Sequence, residues 1–248
     1  MSKLAVLTPY RAILDPGHEA CRRKLYGHGI PHVYVEAPHC LDMARSYLVE
    51  NAIEKTDAEV FLWIDGDIIF EIADVFAITN HLLHSEYDIL GAAYSTKMPG
   101  GKVVGNFKEH IKSVEFFRDG LYPADMVGTG FCAVRRSAFQ KVSDFYGMKK
   151  VPCRMFLNAE IRPFFAHIVD EAGYWPEDFS FCKRAVAAGC KIGIDALPRI
   201  YHSGNYWYGL EDISNPVERC QALTANVEHV DIVPCDAKST KEMTLPPR

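Results

Sequence analysis

Residues 61–70 read FLWIDGDIIF, two acids one glycine apart within an apolar run. The flanking residues have the composition of a buried strand, and an ionised carboxylate is costly to bury unless it is paired. Two placed so close make that problem worse. A divalent cation would resolve it, because hard cations such as Mg2+ and Mn2+ prefer carboxylate oxygen and suit a diphosphate clamp. The other reading of Asp65 and Asp67 is a solvated turn, where acids at this spacing also occur.

The segments before this stretch place it in a sheet. Residues 3–7 and 31–35 are short apolar runs bounded by turn residues and are predicted to be buried strands, with a helix over 18–26 between them. Leu41, Ala44, Leu48 and Ala52 recur at helical spacing, so a second helix should run to Lys55 or Thr56, and 59–64 should be the third strand. Strand, helix, strand in this order predicts a parallel, doubly wound N-terminal half. Ligands in such sheets bind beyond the carboxyl ends of the strands, where Asp65 and Asp67 fall.

Downstream, Ile72, Val75, Phe76 and Leu83 predict a helix, followed by a strand over 88–94 and a turn at 99–101. Edge strands are expected over 102–107 and 113–118, a loop from Gly120, a strand over 126–134 and a short helix over 135–142. Residues 145–165 show no clear period. Pro176 at a first helical position, with Phe179, Cys182 and Val186 on one face and Gly189 past the end, marks another helix. Short strands are expected over 191–195 and 199–202, and residues 234–248 read as a polar tail beyond one domain spanning 1–233.

Composition narrows the class. The chain has 248 residues, of which 48% are hydrophobic, enough for a sizeable core. A net charge of -5 gives no global basic field of the kind that nucleic-acid binders use. The eight cysteines include no C-x-x-C pair, which argues against zinc clusters and redox dithiols and fits reduced thiols in a cytoplasmic protein. The apolar run at the N-terminus stops at Thr8-Pro9-Tyr10-Arg11, too soon for a signal peptide. No run of about 18 apolar residues is present, so no membrane span is expected.

Three further features carry chemistry. In Trp175-Pro176-Glu177-Asp178, two acids fall in the first turn of a helix. They suit its dipole and capping, and a catalytic base would have the same address. His202 leads into 203–209, where Tyr206, Trp207 and Tyr208 lie between glycines and read as a ligand-contacting flap or as packing against the sheet. In Val127-Gly128-Thr129-Gly130-Phe131 the glycines interrupt a strand, which marks a bulge or a close approach by a sugar ring or a neighbouring element.

In this order the features resemble a glycosyltransferase of the GT-A fold, a Rossmann-like α/β domain with a mixed central sheet and helices on both faces, related to the inverting family of the cellulose and hyaluronan synthases. The resemblance spans about 3–209 and rests on LAVLTPYR (4–11), ARSYLVENAI (44–53), the D-x-D stretch, VGTGFCAVRRSAF (127–139), WPEDFSFCKRAVAAGCKIGID (175–195) and YHSG (201–204). It implies Asp67 as direct metal ligand, Asp65 at the ribose or a metal-bound water, and His202 as a third contact to the metal. It further implies Asp178 as the general base, with Glu177 orienting the acceptor or sharing that role. Thr8, Tyr10, Arg11, Asp42 and Arg45 would hold the nucleobase and diphosphate, and Gly128, Thr129 and Gly130 would line the sugar and acceptor cleft.

The implied reaction moves one sugar from a nucleotide-sugar, a UDP-sugar by default, to an acceptor hydroxyl on a glycan or other glycoside. It would use Mn2+ or Mg2+ and invert the anomeric centre. The chain lacks the Thr-Tyr-Asn run common at the end of the family's first strand, the Q-x-x-R-W motif of the processive synthases and their membrane spans. Single transfer is therefore expected. A nucleotidyltransferase would resemble a glycine-rich phosphate loop, yet the stretch after Leu7 has no glycine before Gly17. A non-catalytic sugar-nucleotide-binding or scaffold domain, or a retaining transferase, is the alternative.

Overall fold

The apolar run before Asp65 forms a wholly buried strand at the middle of the fold. In the computed structural model, residues 3–11, 14–37, 40–98, 101–213, 223–227 and 231–234 are described. The central sheet has eight strands: β1 (Leu4–Tyr10), β2 (His32–Glu36), β3 (Val60–Ile64), β4 (Ile89–Ala92), β5 (Asn106–Phe107), β6 (Leu121–Met126), β7 (Phe131–Arg135) and β8 (Ile192–Asp195). Their order across the sheet is β2-β1-β3-β7-β4-β8-β6-β5. β1 runs parallel to both β2 and β3, giving the doubly wound half. β7 is antiparallel to β3 and β4, and the sheet is mixed from there on.

The five helices are α1 (Pro16–Gly27), α2 (Leu41–Lys55), α3 (Ile72–His84), α4 (Arg136–Tyr146) and α5 (Glu177–Ala187). Alternation along β1 and β3 sorts them onto two faces. Leu4, Val6, Leu62 and Ile64 pack with Cys21 and Leu25 of α1 and with Val75, Ile78 and Leu82 of α3. Ala5, Leu7, Phe61 and Trp63 pack with α2, α4 and α5. The fold is thus α/β, a mixed sheet with helices on both faces, as expected. Among the described residues no helix is long and apolar enough to cross a membrane.

An aromatic cluster fixes α5. Phe181 stacks on Phe139 at 5.0 Å and on Phe165 at 4.7 Å, and Phe165 meets Trp63 edge-on at 5.3 Å. Burying each such side chain contributes about 1.5–3 kcal/mol. Cys182, next to Phe181, lies 3.5 Å from the carbonyl of Val127. Asp178 precedes both by one turn, so the face that anchors α5 also sets where this acid stands.

Several expected elements differ. The strand predicted over 126–134 is two strands, β6 and β7, parted at 127–130, and the loop expected from Gly120 gives way at once to β6. β2 is only half-buried because it lies at the edge of the sheet. The strand expected over 102–107 is broken at Gly105, and 145–165 holds a short antiparallel pair, Val151–Cys153 with Ala159–Ile161. Pro176 is the N-cap of α5 rather than its first residue, and the buried face carries Phe181, Cys182 and Ala185, leaving Val186 exposed. On α3 Phe76 is exposed, while Ile78 and Leu82 turn inward. The expected tail over 234–248 and residues 99 and 100 of the expected turn lie outside the described residues, apart from Pro234, which closes a strand (Asp231–Pro234). Six cysteines, at 21, 40, 132, 153, 182 and 190, are free thiols.

Candidate functional site

β3 ends at Ile64, and a tight turn follows. The Asp65 N–H donates to the Gly130 carbonyl at 2.9 Å, the Gly66 N–H to the Pro9 carbonyl at 3.3 Å and the Ile68 N–H to the Asp65 carbonyl at 2.9 Å. A Cβ on Gly66 would come within 2.8 Å of the Tyr10 Cβ, so only glycine lets the turn pass this close to β1. A cavity of about 650 Å³ opens beyond the ends of β1 and β3. Tyr10, Arg11, Asp15, Asp65, Asp67, Lys97, His202 and Ser203 contribute its polar lining.

The two acids of the turn have separate cationic partners. Asp65 Oδ2 accepts from Arg45 Nη2 at 2.9 Å, and Arg45 Nε approaches Glu177 Oε1 at 3.5 Å. Arg45 is 1% exposed and lies over the Trp63 ring at 5.3 Å. Burial opposes its charge, yet Asp65, Glu177 and Asp178 around it raise its pKa above the ordinary value. One buried guanidinium therefore ties the D-x-D turn to the start of α5.

Asp67 Oδ2 is ion-paired with the Lys97 ammonium and lies 3.7 Å from His202 Nε2. Burial would raise this carboxyl, but His202 and Lys97 overrule it and hold it well below the usual carboxylate range. His202 is set by a small three-stranded ribbon of Ile68–Ile69, Tyr201–Ser203 and Trp207–Tyr208, in which it pairs with Ile68, the neighbour of Asp67. Its Nδ1 lies 3.0 Å from the carbonyl of Ser95. A carbonyl only accepts, so Nδ1 donates to it and Nε2 is the ring nitrogen that faces Asp67.

Burial pushes the carboxyl of Asp178 up to about 6, with the neighbouring Glu177 adding to the shift. Asp65 is also raised, by burial first, although Arg45 opposes it. Arg45 Nη1, Asp65 Oδ1 and Thr129 Oγ1 are buried without a hydrogen-bond partner. Native proteins rarely leave such atoms unpaired, and two of these belong to the Arg45–Asp65 pair.

The donor set fits Mn2+ or Mg2+. Among the described residues no three His, Cys, Asp or Glu side chains converge into a ready-made cage. A hard cation that carries substrate phosphates needs only one or two protein ligands and keeps waters besides. Two donors about 2.1 Å from one ion stand about 3–4 Å apart. The separation of Asp67 Oδ2 and His202 Nε2, 3.7 Å, lies within that span.

Other residues singled out from the sequence stand elsewhere. The Thr8 hydroxyl is buried against His32 Nε2 at 2.9 Å and does not line the cavity. Asp42 lines a separate hollow with Met43, Met155 and Pro163. Arg45 is enclosed behind Asp65, and the basic groups lining the cavity are Arg11 and Lys97. A Cβ on Gly128 or Gly130 would come within 2.5 or 2.6 Å of the Tyr94 hydroxyl, which accepts the Gly130 N–H at 3.1 Å. The element that approaches these glycines is therefore a tyrosine of the protein itself. Trp207 and Tyr208 belong to the ribbon strand, and neither they nor Tyr206 line the cavity.

Two cavity residues carry no signal of their own in the sequence. Lys97 is one polar residue in a turn. Asp15 caps α1, accepting from the N–H groups of Gly17 at 2.8 Å and His18 at 3.2 Å, and it takes the Ser203 hydroxyl at 2.7 Å. Asp-Pro-Gly ahead of a helix is a start signal that could have drawn attention to it.

No protein-family model matches the sequence, and no curated protein matches it significantly. Among solved structures, the chain is similar to A197 from STIV, with a TM-score of 0.54 at 13% identity over 100% of this chain and 99% of that one. GalNAc-T7 with UDP, GalNAc and Mn2+ aligns at a TM-score of 0.46 and 11% identity, over 80% of this chain and 43% of that one. A glycosyltransferase involved in glycosylation of the major capsid of PBCV-1 aligns at 0.35 and 16%, over 58% and 65%. At 13% identity the likeness to A197 is one of fold.

Proposed function

We propose that the protein is a glycosyltransferase that moves one sugar from a nucleotide-sugar to an acceptor hydroxyl with inversion, with Mn2+ or Mg2+ held by Asp67 and His202. The observation that supports this reading is the 3.7 Å separation of Asp67 Oδ2 and His202 Nε2, which two donors to one cation would show. Arg45 links Asp65 to Glu177 at the start of α5, whose acids do not themselves line the cavity. When bound, the cation offsets the charge that develops on the departing diphosphate.

Each residue then has a task. Asp178, raised to about 6 by burial, is mostly ionised near neutral pH and basic enough to take a hydroxyl proton. The acceptor oxygen forms its bond to the anomeric carbon as the bond from that carbon to the diphosphate oxygen breaks. The hydroxyl proton passes to Asp178, and the diphosphate leaves with the electron pair. Arg11, which lines the cavity, supplies positive charge to the diphosphate. Arg45 holds Asp65 and Glu177 in place and keeps Asp65 from repelling the donor.

The test is a thermal-shift screen of the purified protein against UDP-, GDP-, CMP- and dTDP-sugars, each with Mn2+ and with EDTA. Stabilisation by one nucleotide class that EDTA abolishes is the expected result and names the donor. No shift with any of the four overturns the transferase reading for these donors and favours a non-catalytic domain.

A further inference from the structure

Lys97 is not needed for any step above, yet it is ion-paired with the aspartate assigned to the cation. Its ammonium and His202 Nε2 address the same oxygen, Asp67 Oδ2. Lys97 also follows Ser95 by two residues, and the Ser95 carbonyl fixes the imidazole of His202. The short antiparallel pair Tyr94–Ser95 with Val103–Val104 thus presents both the group that orients the histidine and the cation that neutralises the aspartate.

We propose that Lys97 is the resident counter-cation of Asp67 and competes with the divalent metal for it, an inference that rests on the metal reading of the cavity given above. The Asp67 carboxylate is partly enclosed, and Lys97 and His202 both approach its Oδ2. The lysine supplies its positive partner when no metal is present. Its side chain is 37% exposed and ends a flexible four-carbon stem, so a cation entering between Asp67 and His202 can displace it at modest cost. The competition weakens the site for metal alone. It also keeps the turn at 65–67 in one shape, ready for ligand.

The experiment measures Mn2+ affinity, by electron paramagnetic resonance of the free ion, for the full chain and for K97M, D67N and R11M. K97M should bind Mn2+ about fivefold more tightly than wild type, the factor that a partly exposed ion pair is worth. D67N should lose binding, and R11M, which removes a cavity charge that does not touch Asp67, should tighten it less than K97M. Binding by K97M no tighter than wild type, with D67N still inactive in binding, overturns the competition alone. Equal tightening in R11M does the same, since a general field would then account for the effect. Undiminished binding in D67N, or none in any of the four proteins, overturns the metal reading itself.

Discussion

Arg45 and Asp65 form an ion pair at 2.9 Å in which the guanidinium is almost wholly enclosed, and the other side of the same guanidinium faces Glu177. Removing the arginine would strand an acid whose pKa burial already raises. R45M should therefore lose about 3–5 kcal/mol of stability in urea unfolding near neutral pH. Adding D65N to that variant should recover part of the loss. Equal stability of R45M and wild type would show that the pair does not hold the turn to α5.

Asp178 is assigned the proton-accepting role. D178N should keep donor binding, read by thermal shift, while transfer falls by a factor on the order of 10²–10⁴. Full activity in D178N would move the base to Glu177 or require a retaining reaction.

The same residue sets a pH dependence. Its carboxyl stands at about 6 in the folded chain against an ordinary value of 3.8, so below the lower value both states hold the proton. Between the two values the folded chain keeps a proton that the unfolded chain has released. The contribution of Asp178 to stability is therefore complete at low pH and is lost as pH rises toward 6. Urea titrations of wild type and D178N should diverge across that window, with wild type losing ground as pH increases. Its kcat/KM should rise about tenfold per pH unit below the same point and level off above it.

Gly130 is held by the ring of Tyr94, and G130A would set a methyl 2.6 Å from its hydroxyl oxygen. The tyrosine is buried, so G130A should cost about 1–3 kcal/mol. Combining it with Y94A should cost less than the sum of the two changes, measured by thermal unfolding. Simple additivity would show that the methyl is accommodated elsewhere.

Metal removal should act through Asp67. In D67A the donor-dependent thermal shift should be small and the same with Mn2+ as with EDTA, whereas in wild type EDTA abolishes it. An EDTA-sensitive shift that survives in D67A would place the cation on other ligands.

The sequence made the frame legible where pattern and burial agree. β1, β3, α2 and α5 follow from apolar runs and helical spacing, and the acids of 65–67 fall beyond a strand end as the doubly wound order requires. What it hid depends on contacts between distant residues. Arg45 looks like a surface arginine on a helix, but it lies over Trp63 of β3 and meets Asp65 and Glu177, from distant parts of the chain, in a buried place. Gly128 and Gly130 announce a close approach without saying by what, because Tyr94 lies more than 30 residues away in the chain. Lys97 has no local pattern at all, and the aspartate it meets lies 30 residues earlier in the chain.

The bond from the Ser203 hydroxyl to Asp15 closes a loop of 188 residues. Contacts of such separation form late, because chain entropy must be overcome before they contribute anything. The cavity they frame draws on the first strand, the D-x-D turn, the Tyr94 hairpin and the Tyr201 ribbon together. A partly folded chain therefore has no binding site to offer, and a ligand that fills the cavity selects finished molecules and slows their unravelling. In folding experiments nucleotide binding should appear as the last event to develop and the first to vanish.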